Sequence, residues 1–200
     1  MIPRPVQIAF GLSIAALMIG APLYFQSYHS RQYRNVRVVK NGVLYRSAQL
    51  PVGGLQRLVN DYRIKTVVCL RNGDKANDQA EEKYCVANGI RFVRVPPRSW
   101  SRDDDGAAPV EEGLAAFREV MKDEANFPVL LHCFAGTHRT GAYVAVYRMD
   151  FGGWSNERAM NELRNLGYVT LDEDRNVFEF LSNYRATPST VRTVSWPARR

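Results

Sequence analysis

Leu131-His132-Cys133-Phe134-Ala135-Gly136-Thr137-His138-Arg139-Thr140-Gly141 is the stretch that decides the architecture. An apolar run, Pro128 to Leu131, leads into it, and an apolar run with helical spacing, Tyr143 to Met149, leads out. A buried strand therefore delivers a cysteine into a tight loop whose far end starts a helix. In such a turn the backbone N–H groups and the positive end of the helix dipole converge, a geometry that suits an oxyanion. The same field favours the thiolate, the nucleophilic form of cysteine. Arg139 offers a two-pronged donor matched to a pair of phosphate oxygens. Gly136 and Gly141 mark places where a side chain would block a backbone angle or a close approach. A lone buried cysteine or a satisfied core histidine is ordinary. Six specified positions in one turn (His132, Cys133, Gly136, Arg139, Thr140, Gly141) point instead to chemistry.

Composition narrows the classes. The chain has 200 residues, 46% of them hydrophobic and 11% aromatic, enough for one packed domain beside a hydrophobic N-terminal segment. A formal charge of +7 and a pI near 9.5 favour an anionic partner. The basic residues are scattered and no nucleic-acid motif is present, so nucleic acid is not expected as a partner. Three cysteines without C-x-x-C spacing argue against a disulfide framework and against a zinc site. No metal and no cofactor are expected, and a catalytic Cys133 needs a reducing or protected setting.

Val6 to Phe25 is almost wholly apolar and carries no charge. A helix of about 20 such residues just spans a hydrocarbon core. Residues 1–27 are therefore expected to be a single-pass transmembrane anchor. Arg4 precedes it and Arg31, Arg34, Arg37 and Lys40 follow, which favours a cytoplasmic catalytic domain at the membrane. The competing readings are a cleaved signal peptide with export, and a buried helix. Residues 28–35 read as a linker, 36–187 as the catalytic domain, and 188–200 as a polar, basic tail.

Within the domain, Val36–Val39 and Val43–Arg46 form a hairpin about Asn41-Gly42. A helix begins near Pro51 with Leu55, Leu58 and Val59 on one side. Thr66–Leu70 reads as a fully buried strand. Ala76–Ala87 is a helix, and Ile90–Val95 a strand. Pro96–Pro109 is a loop centred on Asp103-Asp104-Asp105-Gly106. Pro109–Asp123 is a helix, Val129–His132 the central strand, and Thr140–Asp150 the helix after it. Ser155 caps another helix running to Leu166, and Glu173–Tyr184 is the last. The alternation implies an α/β fold with a central, mostly parallel sheet, and a site at the carboxyl end of the central strand.

The pattern H-C-x-x-G-x-x-R-T-G resembles the signature of the protein tyrosine phosphatase superfamily. The stretch Gly42-Val43-Leu44-Tyr45-Arg46-Ser47-Ala48-Gln49 resembles the first hairpin of compact bacterial and plant-fungal dual-specificity phosphatases, and the likeness runs from about Val36 to Tyr184. It implies a metal-free phosphatase in which Cys133 attacks phosphorus and Arg139 holds the phosphate. Thr140 donates to the sulfur, and His132 orients the loop. The loop residues Phe134, Ala135, Gly136, Thr137 and His138 surround the phosphate, and Arg71 adds a contact or forms a structural ion pair. The superfamily's acid loop lies about thirty residues upstream, where Asp105-Gly106-Ala107-Ala108-Pro109 resembles a D-G-x-x-P arrangement; Asp105 is the expected general acid and Asp103 the reserve. Members acting on inositol pyrophosphates typically carry Lys before the equivalent of His138, where this chain has Thr137. Cys69 is expected close enough to trap Cys133 as a disulfide. The function implied is hydrolysis of phosphomonoesters, on phosphotyrosine or phosphoserine/threonine protein or on a phosphorylated small molecule such as an inositol phosphate. The alternative is a catalytically weak, membrane-tethered phosphate-binding module. A sulfur transferase would lack this pattern, and an arsenate reductase would carry its cysteine loop near the start of the domain.

Overall fold

The computed structural model describes residues 3–187; the expected basic tail, 188–200, lies outside them. Five strands form one sheet: β1 (Arg37–Lys40), β2 (Leu44–Ser47), β3 (Thr66–Cys69), β4 (Arg91–Arg94) and β5 (Val129–His132). Their order is β1-β2-β5-β3-β4. The β1–β2 hairpin is antiparallel and every other pairing is parallel. β3 and β5 are buried at every position, which explains why they read as unbroken apolar runs rather than alternating ones. In register, His132 pairs with Ser47 of β2 on one side and with Cys69 of β3 on the other. Three strands thus end together around the residue that precedes Cys133.

Helices cover both faces of the sheet. On one face Val67 and Leu130 pack against Leu55 and Leu58 of α2 (Val52–Tyr62) and Cys85 of α3 (Ala76–Ala87). On the other, Val68, Leu131 and Cys133 share a core with α4 (Val110–Lys122), α5 (His138–Gly152), α6 (Asn156–Asn165) and α7 (Arg175–Ser182). In α4, Leu114, Phe117, Val120 and Met121 make the apolar stripe and are buried, as a surface helix requires. α5 differs: Thr140 through Tyr147 are all buried, because the helix is enclosed between the sheet and α6 and α7. Gly141 makes this fit possible, since a Cβ there would lie 2.2 Å from Leu163 Cδ1 of α6.

The expected elements are all present, with small changes at their ends. α5 starts at His138 rather than Thr140, because the last loop residues already take helical angles. Ser155 caps α6 as expected, its Oγ accepting from Arg158 N at 3.3 Å. α7 is shorter than expected, a turn from Thr170 to Asp174 occupying its first residues. The membrane-spanning part of the N-terminal expectation is not confirmed. Residues 4–32 form one helix, α1 (Arg4–Gln32), with Phe10, Leu17, Met18 and Phe25 exposed. Ser13, Gly20 and Pro22 stand within the apolar run. Among the described residues no helix is long and apolar enough to cross a membrane, so the transmembrane anchor and a membrane partner through it are not supported.

Candidate active site

Cys133 lies at the carboxyl end of β5 and is only 4% exposed. Its sulfur accepts from Gly136 N at 3.3 Å. Burial alone would raise the thiol pKa, but Thr140, the Gly136 amide and the Arg139 charge together carry it below the ordinary value. The Thr140 hydroxyl is buried and makes no hydrogen bond of standard geometry, so its gift to the sulfur is a looser donor contact.

The loop's conformation follows from where its carbonyls go. Phe134 O accepts from Gln49 N at 3.1 Å, and Ala135 O accepts from Asn35 Nδ2 at 2.7 Å. Gly136 O accepts from Arg46 Nη2; Thr137 O accepts from the same nitrogen at 3.3 Å and from Gly141 N at 2.9 Å. Four successive carbonyls are therefore satisfied from outside the loop or by the helix, which leaves the loop amides to face the pocket. Gly136 has φ +71°, and a Cβ there would meet the Ser47 and Ala48 backbone at 2.5 Å, so glycine is required on both counts. Arg139 Nη1 donates to Leu70 O at 2.8 Å, fixing one edge of the guanidinium at the end of β3. The remaining N–H groups are available to an oxyanion.

The expected site residues have different surroundings. The His138 ring lies tilted against Tyr168, with ring centroids 4.4 Å apart, so its side chain packs there and its backbone belongs to the loop. Phe134 is 55% exposed and stands at the pocket mouth, its centroid 5.2 Å from Arg71 Cζ and 5.8 Å from Arg34 Cζ. Arg71 is the structural ion pair: its Nε and Nη2 grip the Asp78 carboxylate, which also accepts from Gln49 Nε2. Burial would raise the Asp78 pKa, yet Arg71 and Gln49 hold it below the ordinary carboxylate range. Arg71 thus reaches the mouth of the site through its ring contact rather than as a free cation.

The acid loop is less decided. Asp103 Oδ1 accepts from Ala107 N at 3.0 Å, closing the tip on itself, and Asp104 and Asp105 are exposed. Among the described residues no hydrogen bond or ion pair joins Asp103, Asp104 or Asp105 to the catalytic loop. Trp100 anchors the loop's first half, edge-on to Phe180 at 5.0 Å and to Tyr143 at 6.0 Å.

His132 is 1% exposed, with Nδ1 3.3 Å from Cys133 O and Nε2 2.9 Å from Glu81 Oε1. Cys69, Glu81 and His132 place donor atoms within 4.8 Å of one another, the spacing of a metal site. Arg94 Nη1 stands 3.8 Å from Cys69 Sγ and His132 already pairs with Glu81, so the charges of this cluster are balanced by the protein itself. The expected Cys69–Cys133 disulfide is also corrected. Side chains alternate along a strand; Cys69 follows Val67 and His132 toward α2 and α3, while Cys133 follows Leu131 toward α5. Arg46, Asn35, Gln49, Asp78 and Glu81 are not singled out by sequence reasoning. Arg46 and Gln49 sit in Tyr45-Arg46-Ser47-Ala48-Gln49, a signal that the sequence pattern marks only as part of a hairpin.

A family model described as PTP-NADK, DSP-PTPase phosphatase fused to NAD+ kinase, matches residues 22–179. The chain is similar to the dual specificity protein phosphatase TpbA of Pseudomonas aeruginosa, 31% identical over 139 residues that are 69% of this chain and 57% of that protein. It is similar to the inositol diphosphatase DSP1 of Oryza sativa, 32% identical over 114 residues, 57% of this chain and 49% of the relative. The chain thus spans about half the length of these curated relatives. A crystal structure of P. aeruginosa TpbA in complex with pTyr superposes with a TM-score of 0.57 at 26% identity, covering 75% of this chain and 84% of that one. With the loop, the sheet order and the family match in agreement, the chain belongs to the PTP-NADK family, among the dual-specificity-phosphatase-like members of the protein tyrosine phosphatase superfamily.

Proposed function

We propose that the protein is a cysteine-dependent phosphatase of the dual-specificity type, hydrolysing phosphomonoesters through a cysteinyl-phosphate. The observation that carries this is Cys133: a nearly buried sulfur held at the start of α5 against the Gly136 amide, with its pKa lowered. The phosphate dianion is bound by inward loop amides and Arg139, which offsets the repulsion that a free thiolate would meet. Cys133 Sγ forms the S–P bond as the P–O bond to the leaving group breaks. Asp105, the acid named by resemblance, supplies the proton to the leaving oxygen, and water then attacks phosphorus and releases the thiolate. Thr140 favours that thiolate as leaving group.

The substrate is a phosphoprotein or a phosphorylated small molecule. TpbA bound to pTyr supports the first and the inositol diphosphatase DSP1 the second. Exposed acid-loop aspartates that make no hydrogen bond or ion pair to the catalytic loop among the described residues are the observation that favours the alternative, a phosphate-binding module of weak activity. Placement in a reducing compartment is part of the proposal, supported by three free cysteines. The test is phosphate release from an aryl phosphate by the full chain, reduced and with chelator present, against Cys133→Ser. Release by the wild type that the variant loses supports the phosphatase. Phosphate binding without release by folded wild type favours the binding module.

A further inference from the structure

A cleft of about 730 Å³ lies between α4, the first residue of α6 and the segment that leaves α7, and no residue of the catalytic loop lines it. That volume falls in the range of small-molecule sites, roughly 300–1,000 Å³. The wall after α7 is held by a buried knot. Asp150, its side chain 1% exposed, accepts from Arg118 Nε at 3.0 Å, from the Tyr184 hydroxyl at 2.9 Å and from Thr187 N at 2.9 Å. Asn156 Nδ2 donates to Leu181 O at 2.7 Å and to Tyr184 O at 2.8 Å. Three guanidiniums and one carboxylate line the cleft. The carboxylate, Glu111, is already 3.3 Å from Arg118 Nη2. The knot does not use up the cations. Arg118 Nη1 makes no hydrogen bond among the described residues, and Arg102 donates through Nη1 alone, to Gly106 O at 2.6 Å. Arg185 is exposed and has no hydrogen bond or ion pair among the described residues.

We propose that this cleft is a second anion-binding site, for a small molecule carrying two or more phosphate or carboxylate groups, and that Arg102 couples its occupancy to the acid loop. Arg102 and Arg185 each offer planar N–H donors, matched to the oxygens of such groups and not committed to a carboxylate of the protein. Arg118 Nη1 adds a donor between α4 and α7. The coupling follows from what the lining residues hold. Arg102 stands in the acid loop, and the carbonyl that its Nη1 holds belongs to Gly106, next to Asp105. Its Nε and Nη2 remain for the ligand. Phe180 lines the cleft and is also the ring on which Trp100 packs edge-on at 5.0 Å. A ligand seated on these residues therefore stiffens the loop that carries Asp103, Asp104 and Asp105.

Any consequence for turnover rests on the proposed function, but the test needs no turnover. Full-length Cys133→Ser, which lacks the nucleophile, is titrated calorimetrically with tripolyphosphate and, separately, with citrate at low ionic strength. Two classes of site are expected, one at the catalytic loop and one in the cleft. Adding Arg185→Glu, at an exposed position outside the core, is expected to weaken one class by about tenfold or more and leave the other unchanged. Loss confined to tripolyphosphate supports a phosphate-bearing ligand, and loss confined to citrate a carboxylate-bearing one. Isotherms that Arg185→Glu leaves unchanged with both probes overturn the site. Should the catalytic loop bind neither probe, the phosphatase reading fails while the remaining site still responds to Arg185→Glu. The coupling is read by hydrogen exchange of the Gly106 and Ala107 amides, which is expected to slow when the probe is added and not to slow in the Arg185→Glu variant. Exchange that the bound probe leaves unchanged overturns the coupling.

Discussion

The catalytic loop and the acid loop are built in opposite ways. From Phe134 to Thr137, every carbonyl of the catalytic loop is held by a donor from β2, the Gln49 segment after it, the Asn35 segment or α5, and a guanidinium is buried beneath it. The acid loop, residues 96–109, is tied down by Trp100 at one end, while its aspartate tip bonds mainly to itself. One region arrives preorganised for charge; the other has a place in the chain but no fixed partner. Under the proposed function, phosphate binding and thiolate stabilisation are properties of the fold, whereas proton delivery falls to a loop whose aspartates make no hydrogen bond or ion pair to the catalytic loop among the described residues.

That contrast can be broken at its strong end first. Arg139→Lys keeps the charge but loses the planar fork, and kcat/KM is expected to fall by about 10²–10³-fold. Near-wild-type kinetics would remove Arg139 from the phosphate site. Arg46→Met is expected to cost less, about tenfold in kcat/KM, with a stability loss of ~1–3 kcal/mol for the carbonyls left buried without their donor. A variant matching wild type in both melting and kinetics would show that the loop holds its shape unaided.

Asp105→Asn sharpens the contrast at its weak end. It is expected to lower kcat by about 10–10²-fold for a poor alkyl leaving group and by only a few fold for an activated aryl phosphate. Equal losses on both substrates, or a larger loss in Asp103→Asn, would place the acid elsewhere. The smallest expected effect is on the pH profile. The thiolate is the active form and its folded pKa is lowered, so the rise of kcat/KM with pH falls below the ordinary thiol value, and activity is lost as pH drops through it. A limb at or above the ordinary thiol range would mean that the loop does not stabilise the thiolate.

Much of the fold was legible because its signals are local. Unbroken apolar runs marked β3 and β5, a period-3.6 stripe marked α4, and the Ser155 cap marked α6. Cys133, Gly136, Arg139 and Thr140 sit in one turn, so their spacing alone assembled the core of the site. What the sequence hid was long-range. Arg46 and Asn35 lie ninety or more positions from the loop carbonyls they hold, at separations of 90 and 100 residues. Glu81 reaches His132 only because α3 packs on the face of the sheet toward which His132 points. The Cys69–Cys133 expectation failed for a related reason: neighbouring strand ends suggested proximity, but alternation put the two sulfurs on opposite faces of the sheet. In α1, apolar composition suggested a membrane span that the described helix does not support.

The most direct measurement is to trap the intermediate. Full-length protein would be mixed with an aryl phosphate, quenched within milliseconds, and mapped by mass spectrometry for phosphate on cysteine. Phosphate is expected on Cys133 alone, absent in Cys133→Ser and accumulating when the leaving group is activated. Turnover without any phosphocysteine, or phosphate carried on another residue, would contradict it.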